Sequence, residues 1–402
     1  MKKTLTFLII GVICLIITSC KKDEGAKLYQ VTVSVNFPSG LTVADKSDVT
    51  VKILNNVTTI KKTATTDVNG TVSFNVEAGT YTISATKKTE EFVFNGICEN
   101  KAVDEENVDF TVELKASTIG GGLVIKEIYY TGSTTPASTN YYADQFVEIY
   151  NNSDSVIYLD GLCMSVIDPT ASASASPWVN ESGELLNSLP CSFQTWMWPG
   201  TGNTYPLEGR KSIVIAMDAF NHKSDPAGNP NSPVNMGDAN WETYCSASAS
   251  DVDYAAANLV QIYSTVSSST ADWIMSVFGP ALIIFRLPSN LDYASYVSNT
   301  ANFSTKPGST SSTQYMMIDQ TYVIDAVECV RVEEGKRYKR IPAALDAGYV
   351  YCSGTYASES VRRKVDKIVD GNVIYKDTNN SSEDFLGSQT PTPFVNPTVV
   401  DN

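Results

Sequence analysis

Between residues 28 and 115, polar and apolar side chains alternate one by one, and a chain patterned this way can bury its apolar half only as β-strands. Gln30-Val31-Thr32-Val33-Ser34-Val35 alternates, as does Asp48-Val49-Thr50-Val51-Lys52-Ile53. The same period returns in Gly70–Val76 and Thr80–Ala85, with turn residues in Asp67-Val68-Asn69-Gly70 and Glu77-Ala78-Gly79 between them. About seven short strands in so little chain make a small antiparallel sandwich.

Thr66–Phe74 followed by Ala78-Gly79-Thr80-Tyr81-Thr82-Ile83 resembles the prealbumin-like, carboxypeptidase-regulatory type of domain, in which a Gly turn feeds one strand and a Gly-x-Tyr corner the next. The resemblance implies a spacing, stiffening or docking module at residues 28–115, with no catalytic residues of its own. Ser117-Thr118-Ile119-Gly120-Gly121-Gly122 reads as a flexible joint, placed at 116–122. A second β pattern then runs through Leu123–Tyr130, Asp144–Ser153 and Val156–Cys163. Lys126-Glu127-Ile128, the acid-aromatic-Val-Glu-Ile-Tyr-Asn strand Asp144–Asn151 and the Tyr158–Gly161 corner resemble the opening of a lamin-tail-type, immunoglobulin-like sandwich. Ser212–Ala216, Ser360-Val361-Arg362-Arg363 and Thr390-Pro391-Thr392-Pro393 fit its later signals, although Phe394 stands where that pattern has Gly. In this motif Glu148 is expected to be a structural carboxylate that accepts backbone N–H bonds.

The expected fold is therefore all-β: two antiparallel β-sandwich domains, immunoglobulin-like and prealbumin-like, at 28–115 and 123–402. The second carries long insertions at 164–280, including the Ala/Ser run Ala171–Ser176 and the Pro/Asn-rich Asn229–Asn240. Short helices are expected at Ala247–Asn258 and Ser358–Lys367. Trp273–Leu287 is interrupted by Gly279-Pro280 and closed by Arg286, so it reads as buried core rather than a membrane span.

The N-terminus reads as an address. Lys2 and Lys3 precede an apolar run from Leu5 to Ile17, and Ile17-Thr18-Ser19-Cys20 resembles a bacterial lipobox. The resemblance makes residues 1–19 a lipoprotein signal peptide, Cys20 the lipidated first mature residue and 20–27 a tether. Lys22-Asp23-Glu24 resembles the signal that sends Bacteroidota lipoproteins to the cell surface. The expected location is the outer membrane, lipid-anchored and surface-exposed. With both fold resemblances, the chain is similar to an uncharacterised group of Bacteroidota cell-surface lipoproteins, some of which accompany TonB-dependent transporters.

Charged residues are only 18% of the chain and the formal charge is −15. So acidic a surface repels phosphate backbones, which argues against nucleic acid as a partner. Eight cysteines occur. Setting aside Cys14 and Cys20 leaves Cys98, Cys163, Cys191, Cys245, Cys329 and Cys352, an even set in an exported chain. A disulfide within 163–352 is expected, with Cys329 and Cys352 a candidate pair because both stand in consecutive strand-like segments. No CxxC pair is present, so no zinc site is expected.

Catalytic signals are sparse. The sole histidine is His222, and neither a nucleophile elbow nor a phosphate loop occurs. Asp251 with Asp253 and Glu333 with Glu334 are carboxylate pairs that an acidic surface generates by chance. No catalytic residue and no cofactor is therefore expected. Asp218, His222 and Asp225 form a weak candidate for a metal site on a strand-to-loop turn. Trp196, Trp198 and Tyr205 in one insertion, and Trp241 and Tyr244 in another, are candidate anchors for a glycan, a porphyrin, an aromatic chelate or a protein. The alternative for these rings is a small core that pins the loop. The reading that follows is a non-catalytic binding or accessory lipoprotein of a TonB-dependent uptake system for iron, haem, siderophore or glycan. A structural or adhesion module is the alternative, and a carboxylate-based hydrolase ranks behind both.

Overall fold

The structure, a computed structural model, describes residues 27–38, 46–89, 92–118, 122–266, 273 and 275–401. The first unit contains β1 (Leu28–Asn36), β2 (Thr50–Asn55), β3 (Lys61–Thr65), β4 (Thr71–Glu77), β5 (Gly79–Lys88), β6 (Phe92–Val103), β7 (Val108–Glu113) and β8 (Lys115–Thr118). These form two facing sheets, ordered β4-β1-β7 and β3-β2-β5-β6-β8. Alternation does what the sequence demands. Val31, Val33 and Val35 of β1 point inward to meet Val51, Ile53, Ile83, Phe94 and Val112. At the Gly70 turn (φ 80°) the Asp67 carboxylate accepts the N–H groups of Asn69 and Thr71, both at 2.9 Å. The Tyr81 hydroxyl donates to Glu77 O at 2.8 Å, which fixes the Gly-x-Tyr corner. One pairing departs from the antiparallel rule: β1 runs parallel to β7, with Val31 opposite Val108. β8 also occupies part of the expected joint, and residues 119–121 lie outside the described residues.

The second unit begins with β9 (Leu123–Tyr129). One of its sheets orders the strands Ala257–Asn258, Trp241–Glu242, Ser212–Ala216, Phe146–Asn151, β9, Ser360–Arg363 and Phe385–Gln389. The facing sheet orders Phe303–Thr305, Gln314–Asp319, Ser188–Met197, Cys163–Ile167, Ala281–Phe285 and Val323–Glu328, with Val260–Ser264 also paired to Ser188–Met197. Between them lies a core that includes Ile125, Ile128, Val147, Met164, Trp196, Ile215, Leu282 and Val361.

β9 and Phe146–Asn151 are buried along their whole length because their outer faces are covered as well. The Pro/Asn-rich insertion supplies one cover: Val234 and Met236 pack on Tyr129, Phe146, Val214 and Ala216. The hairpin Val365–Val369/Asn372–Tyr375 supplies another, placing Val365, Val373 and Tyr375 against Val124 and Tyr150. A third layer, with Tyr293, Tyr296 and Val297, lies behind the facing sheet. The Pro/Asn-rich insertion, the hairpin and the segment around Tyr293 are thus the outer layers of a four-tiered body.

Neither expected helix forms. Ser358–Lys367 becomes the strands Ser360–Arg363 and Val365–Val369, captured by backbone pairing to β9 and Phe385–Gln389, which overrides local propensity. Ala247–Asn258 is turn and extended chain ending in a short parallel strand. Among the described residues the α-helices are instead Tyr293–Ser298, capped by Asp292, and Ser381–Asp384, capped by Asn380.

The motif residues of the second unit converge on one buried polar group. Glu127 accepts Ser360 Oγ at 2.5 Å and Thr392 N at 3.0 Å, which ties the Ser-x-x-Arg and Thr-Pro segments to β9. Arg363 donates from Nε to Ile125 O at 2.8 Å and pairs with Asp325. Glu148, fully buried, accepts Lys126 Nζ at 2.7 Å and Ser212 Oγ at 2.6 Å. Its principal donors are these side chains, not the backbone N–H groups expected.

Candidate functional site

The aromatic residues expected at the surface are inside. Trp196 and Trp198 are each 0% exposed and Trp241 is 6% exposed. Trp196 belongs to the strand Ser188–Met197, opposite Met164, and Trp198 N donates to Leu162 O at 2.9 Å. Pro199-Gly200 ends this strand after Trp198, so the tryptophans precede the loop rather than sit in it. The Trp241 ring meets Trp198 at 6.2 Å and Tyr205 at 4.9 Å, edge to face in both cases. Tyr244 is half-buried. The loop is pinned further by Asp160, which accepts N–H groups from Gly202, Thr204 and Tyr205 at 3.0, 2.9 and 2.9 Å. The expectation of exposed anchors is corrected: these rings form the small core that holds the loop down.

His222 is equally internal. Its Nε2 donates to Asp218 O at 3.0 Å and its Nδ1 accepts from Tyr141 Oη at 2.7 Å, so both nitrogens are used. Burial pushes the imidazole down to about 4, so the ring is neutral. Asp225 is exposed and accepts Ala227 N at 2.8 Å within its own turn. Among the described residues no group of three His, Cys, Asp or Glu side chains is placed to hold a metal ion. Asp218, His222 and Asp225 are therefore corrected to a turn that satisfies its own hydrogen bonds. Asp253 accepts Asn258 Nδ2 at 2.9 Å, and Glu333 takes both arms of the Arg331 fork at 2.6 and 3.0 Å.

Cys329 and Cys352 carry free thiols, as do Cys98, Cys163 and Cys191. The expected disulfide is corrected too. All but Cys98 are buried and act as small hydrophobes, and Cys329 is bridged through its backbone to Val350 instead. Cys20, Lys22, Asp23 and Glu24 lie outside the described residues.

What the structure assembles instead is a groove where the two sandwiches meet. The outward side chains of β2, β5 and β6, patterned for solvent, form one wall: Lys52, Thr82, Ser84, Glu99 and the amides Asn56 and Asn100. Opposite stand Arg337, Tyr338, Tyr349, Ser382 and Glu383, around a cavity of about 430 Å³. Asn56 Nδ2 donates to Asn100 Oδ1 at 3.2 Å while its Oδ1 accepts Thr82 Oγ1 at 2.9 Å, so the amides are oriented before any ligand arrives. Arg337 lies over the Tyr351 ring at 4.3 Å, and its Nε is buried without an acceptor. Tyr338, 39% exposed, also borders a second cavity of about 540 Å³ lined by Cys98, Lys115, Val179, Leu185 and Pro342.

The junction is built by specific ties. Lys52 pairs with Glu383, Lys115 pairs with Glu184 at 3.3 Å, and Lys88 Nζ donates to Asp377 O at 2.9 Å. Asn95, fully buried, donates to Thr378 O at 3.0 Å and Asn379 O at 3.2 Å, and its Oδ1 accepts Thr86 Oγ1 at 2.6 Å. Gly348 allows the groove floor to close, since a Cβ there would stand 2.1 Å from Asn380 Oδ1. None of these groove residues was legible as a site, because each wall comes from a separate unit. The one local signal was the basic and aromatic run Arg337-Tyr338-Lys339-Arg340.

Fold and groove together define a two-sandwich all-β protein whose open polar surface lies at the domain junction. A family model described as protein of unknown function (DUF4876) matches residues 209–392, inside the second unit. A solved DUF4876 family protein from Bacteroides thetaiotaomicron VPI-5482 is similar over 92% of this chain and 99% of its own, at 28% identity and a TM-score of 0.62. Both similarities are consistent with an uncharacterised Bacteroidota family. The full-length major pilin SpaD from Corynebacterium diphtheriae matches at 13% identity and a TM-score of 0.17, covering 35% of this chain and 41% of its own. A variant of BcpA, the major pilin subunit of Bacillus cereus, matches at 12% and 0.18, covering 78% and 98%. Likeness at that level carries no argument. No curated protein matches.

Proposed function

We propose that this chain is a non-catalytic binding lipoprotein of the outer membrane, anchored through Cys20 and exposed at the cell surface, which holds a polar ligand of the glycan class in the groove between its sandwiches. On this reading it serves as an accessory subunit to a TonB-dependent transporter. The observation that carries the binding role is the groove: pre-oriented amides, hydroxyls and two tyrosines line a cavity of about 430 Å³ at a domain junction. Ligand sites favour such junctions, and amides with flat aromatic faces suit the hydroxyls and ring faces of a sugar. The engaged nitrogens of His222 and the paired or capped carboxylates support a non-catalytic role.

The test has two arms. Titration calorimetry of the protein against a panel of oligosaccharides should find a binder, and Tyr349→Ala with Asn100→Ala should weaken it at least about ten-fold, or about 1.4 kcal/mol. The thermal midpoint should stay nearly unchanged. Tagged protein purified from outer membranes should bring a transporter with it. Absence of any oligosaccharide binding sinks the ligand assignment. Purification without a transporter removes the accessory role.

A further inference from the structure

Lys126 is 0% exposed, and its amine is surrounded by the parts of a condensation reaction. Nζ lies 2.7 Å from Glu148 Oε1, 2.8 Å from Val395 O and 3.4 Å from the carboxamide oxygen of Asn396. Glu148 is likewise 0% exposed, and its second oxygen, Oε2, is buried without a hydrogen-bond partner. Burial lifts the Glu148 carboxyl above its usual range while Lys126 opposes that shift, so the carboxylate is poised beside the amine it would relieve of a proton.

The segment that presents Asn396 is pinned at both ends. On one side Thr392 N donates to Glu127 at 3.0 Å. On the other Asp401 takes both arms of Arg362 at 2.9 Å and accepts Val365 N at 2.8 Å. Fixing both ends of a short segment over a buried amine turns an encounter between distant residues into an intramolecular one.

We propose that Lys126 and Asn396 form an intramolecular isopeptide bond, with Glu148 as the proton carrier. Glu148 takes a proton from the Lys126 ammonium, and the freed amine attacks Asn396 Cγ. A Cγ–Nζ bond forms, Glu148 passes its proton to Nδ2 and takes the second proton from Nζ, the Cγ–Nδ2 bond breaks, and the departing ammonia carries that second proton away as ammonium. Atoms and electrons balance with no oxidant or further reactant. The next residue is Pro397, which has no backbone N–H and so closes the usual route by which an asparagine loses ammonia, attack by the following amide. The linkage would weld the C-terminal segment to the first strand of the second unit.

Mass spectrometry of a tryptic digest tests this on the mature protein. The linked species is a branched peptide joining residues 116–210, uncut at Lys126, to 377–402, and lighter than the sum of its parts by about 17 Da, one ammonia. Asn396→Ala, at an exposed position, should return the two parts as separate peptides, with Lys126 now cut by trypsin. Glu148→Gln should leave linkage incomplete where that variant folds. A wild-type digest with the free 377–402 peptide at full mass, and cleavage after Lys126, overturns the proposal and leaves the contact a hydrogen-bonded tether.

Discussion

Glu127 shows how a single buried carboxyl writes itself into the pH dependence of the protein. Burial raises it to about 7 in the folded chain, against the hydrogen bonds from Ser360 and Thr392 that pull it down. A folded value above the unfolded one means the folded state holds the proton more tightly. That contribution is full below about pH 4.5 and is lost as pH rises through about 7. Glu127→Gln keeps an acceptor for Ser360 and cannot ionise. Chemical denaturation at a series of pH values should therefore show the wild type losing ground to the variant between these limits, and parallel profiles would refute the assignment. Trp196 provides the second prediction at this scale. Its ring fills the space between the two sheets, so Trp196→Ala should destabilise the protein by about 3–5 kcal/mol, read as a large fall in the unfolding midpoint. An unchanged midpoint would return the ring to the surface.

At the scale of elements, how much could be read from the chain depends on how many faces each strand buries. In the first unit strands such as β1, β2 and β5 bury one face, so alternation of period two is visible and Val31, Val33 and Val35 announce the core. In the second unit β9 and Phe146–Asn151 are covered on both sides, by the hairpin Val365–Val369/Asn372–Tyr375 and by an insertion whose Pro and Asn content resembles open loop. Met236 and Val234 carry the packing, yet nothing local marks them as a lid over Tyr129 and Phe146. In Trp196-Met197-Trp198-Pro199-Gly200 the Pro-Gly pair signals a loop, although the strand runs up to Met197. The groove was beyond reach for a different reason, since its walls meet only through long-range contacts such as that of Asn95. That contact is testable. Asn95→Asp would set a carboxylate against two carbonyl oxygens, and an uncompensated buried polar contact costs about 1–3 kcal/mol. Limited proteolysis should then cut near the junction at residues 116–122 faster than in the wild type, and equal rates would show that the tie is dispensable.

For the molecule as a whole, the thiols and the anchor give two further outcomes. Alkylation of denatured, unreduced protein should label all six cysteines from Cys98 to Cys352, and in the native state half-buried Cys98 should react first. Fewer than six labels would restore a disulfide. Cys20→Ala should release the protein from the membrane fraction, and retention after a high-salt wash would exclude the lipid anchor. The parallel partnership of β1 and β7 then acquires a mechanical meaning. Any pull transmitted from the N-terminus enters the chain at Leu28 and runs along β1, which is flanked by β4 from Leu28 to Ser34 and by β7 from Val31 to Asn36. The load lies along the strand and across its hydrogen bonds, so they share the force and must rupture together instead of peeling in turn. The first sandwich is in that sense a shear clamp, built to carry a load along β1 without its strands peeling apart one by one.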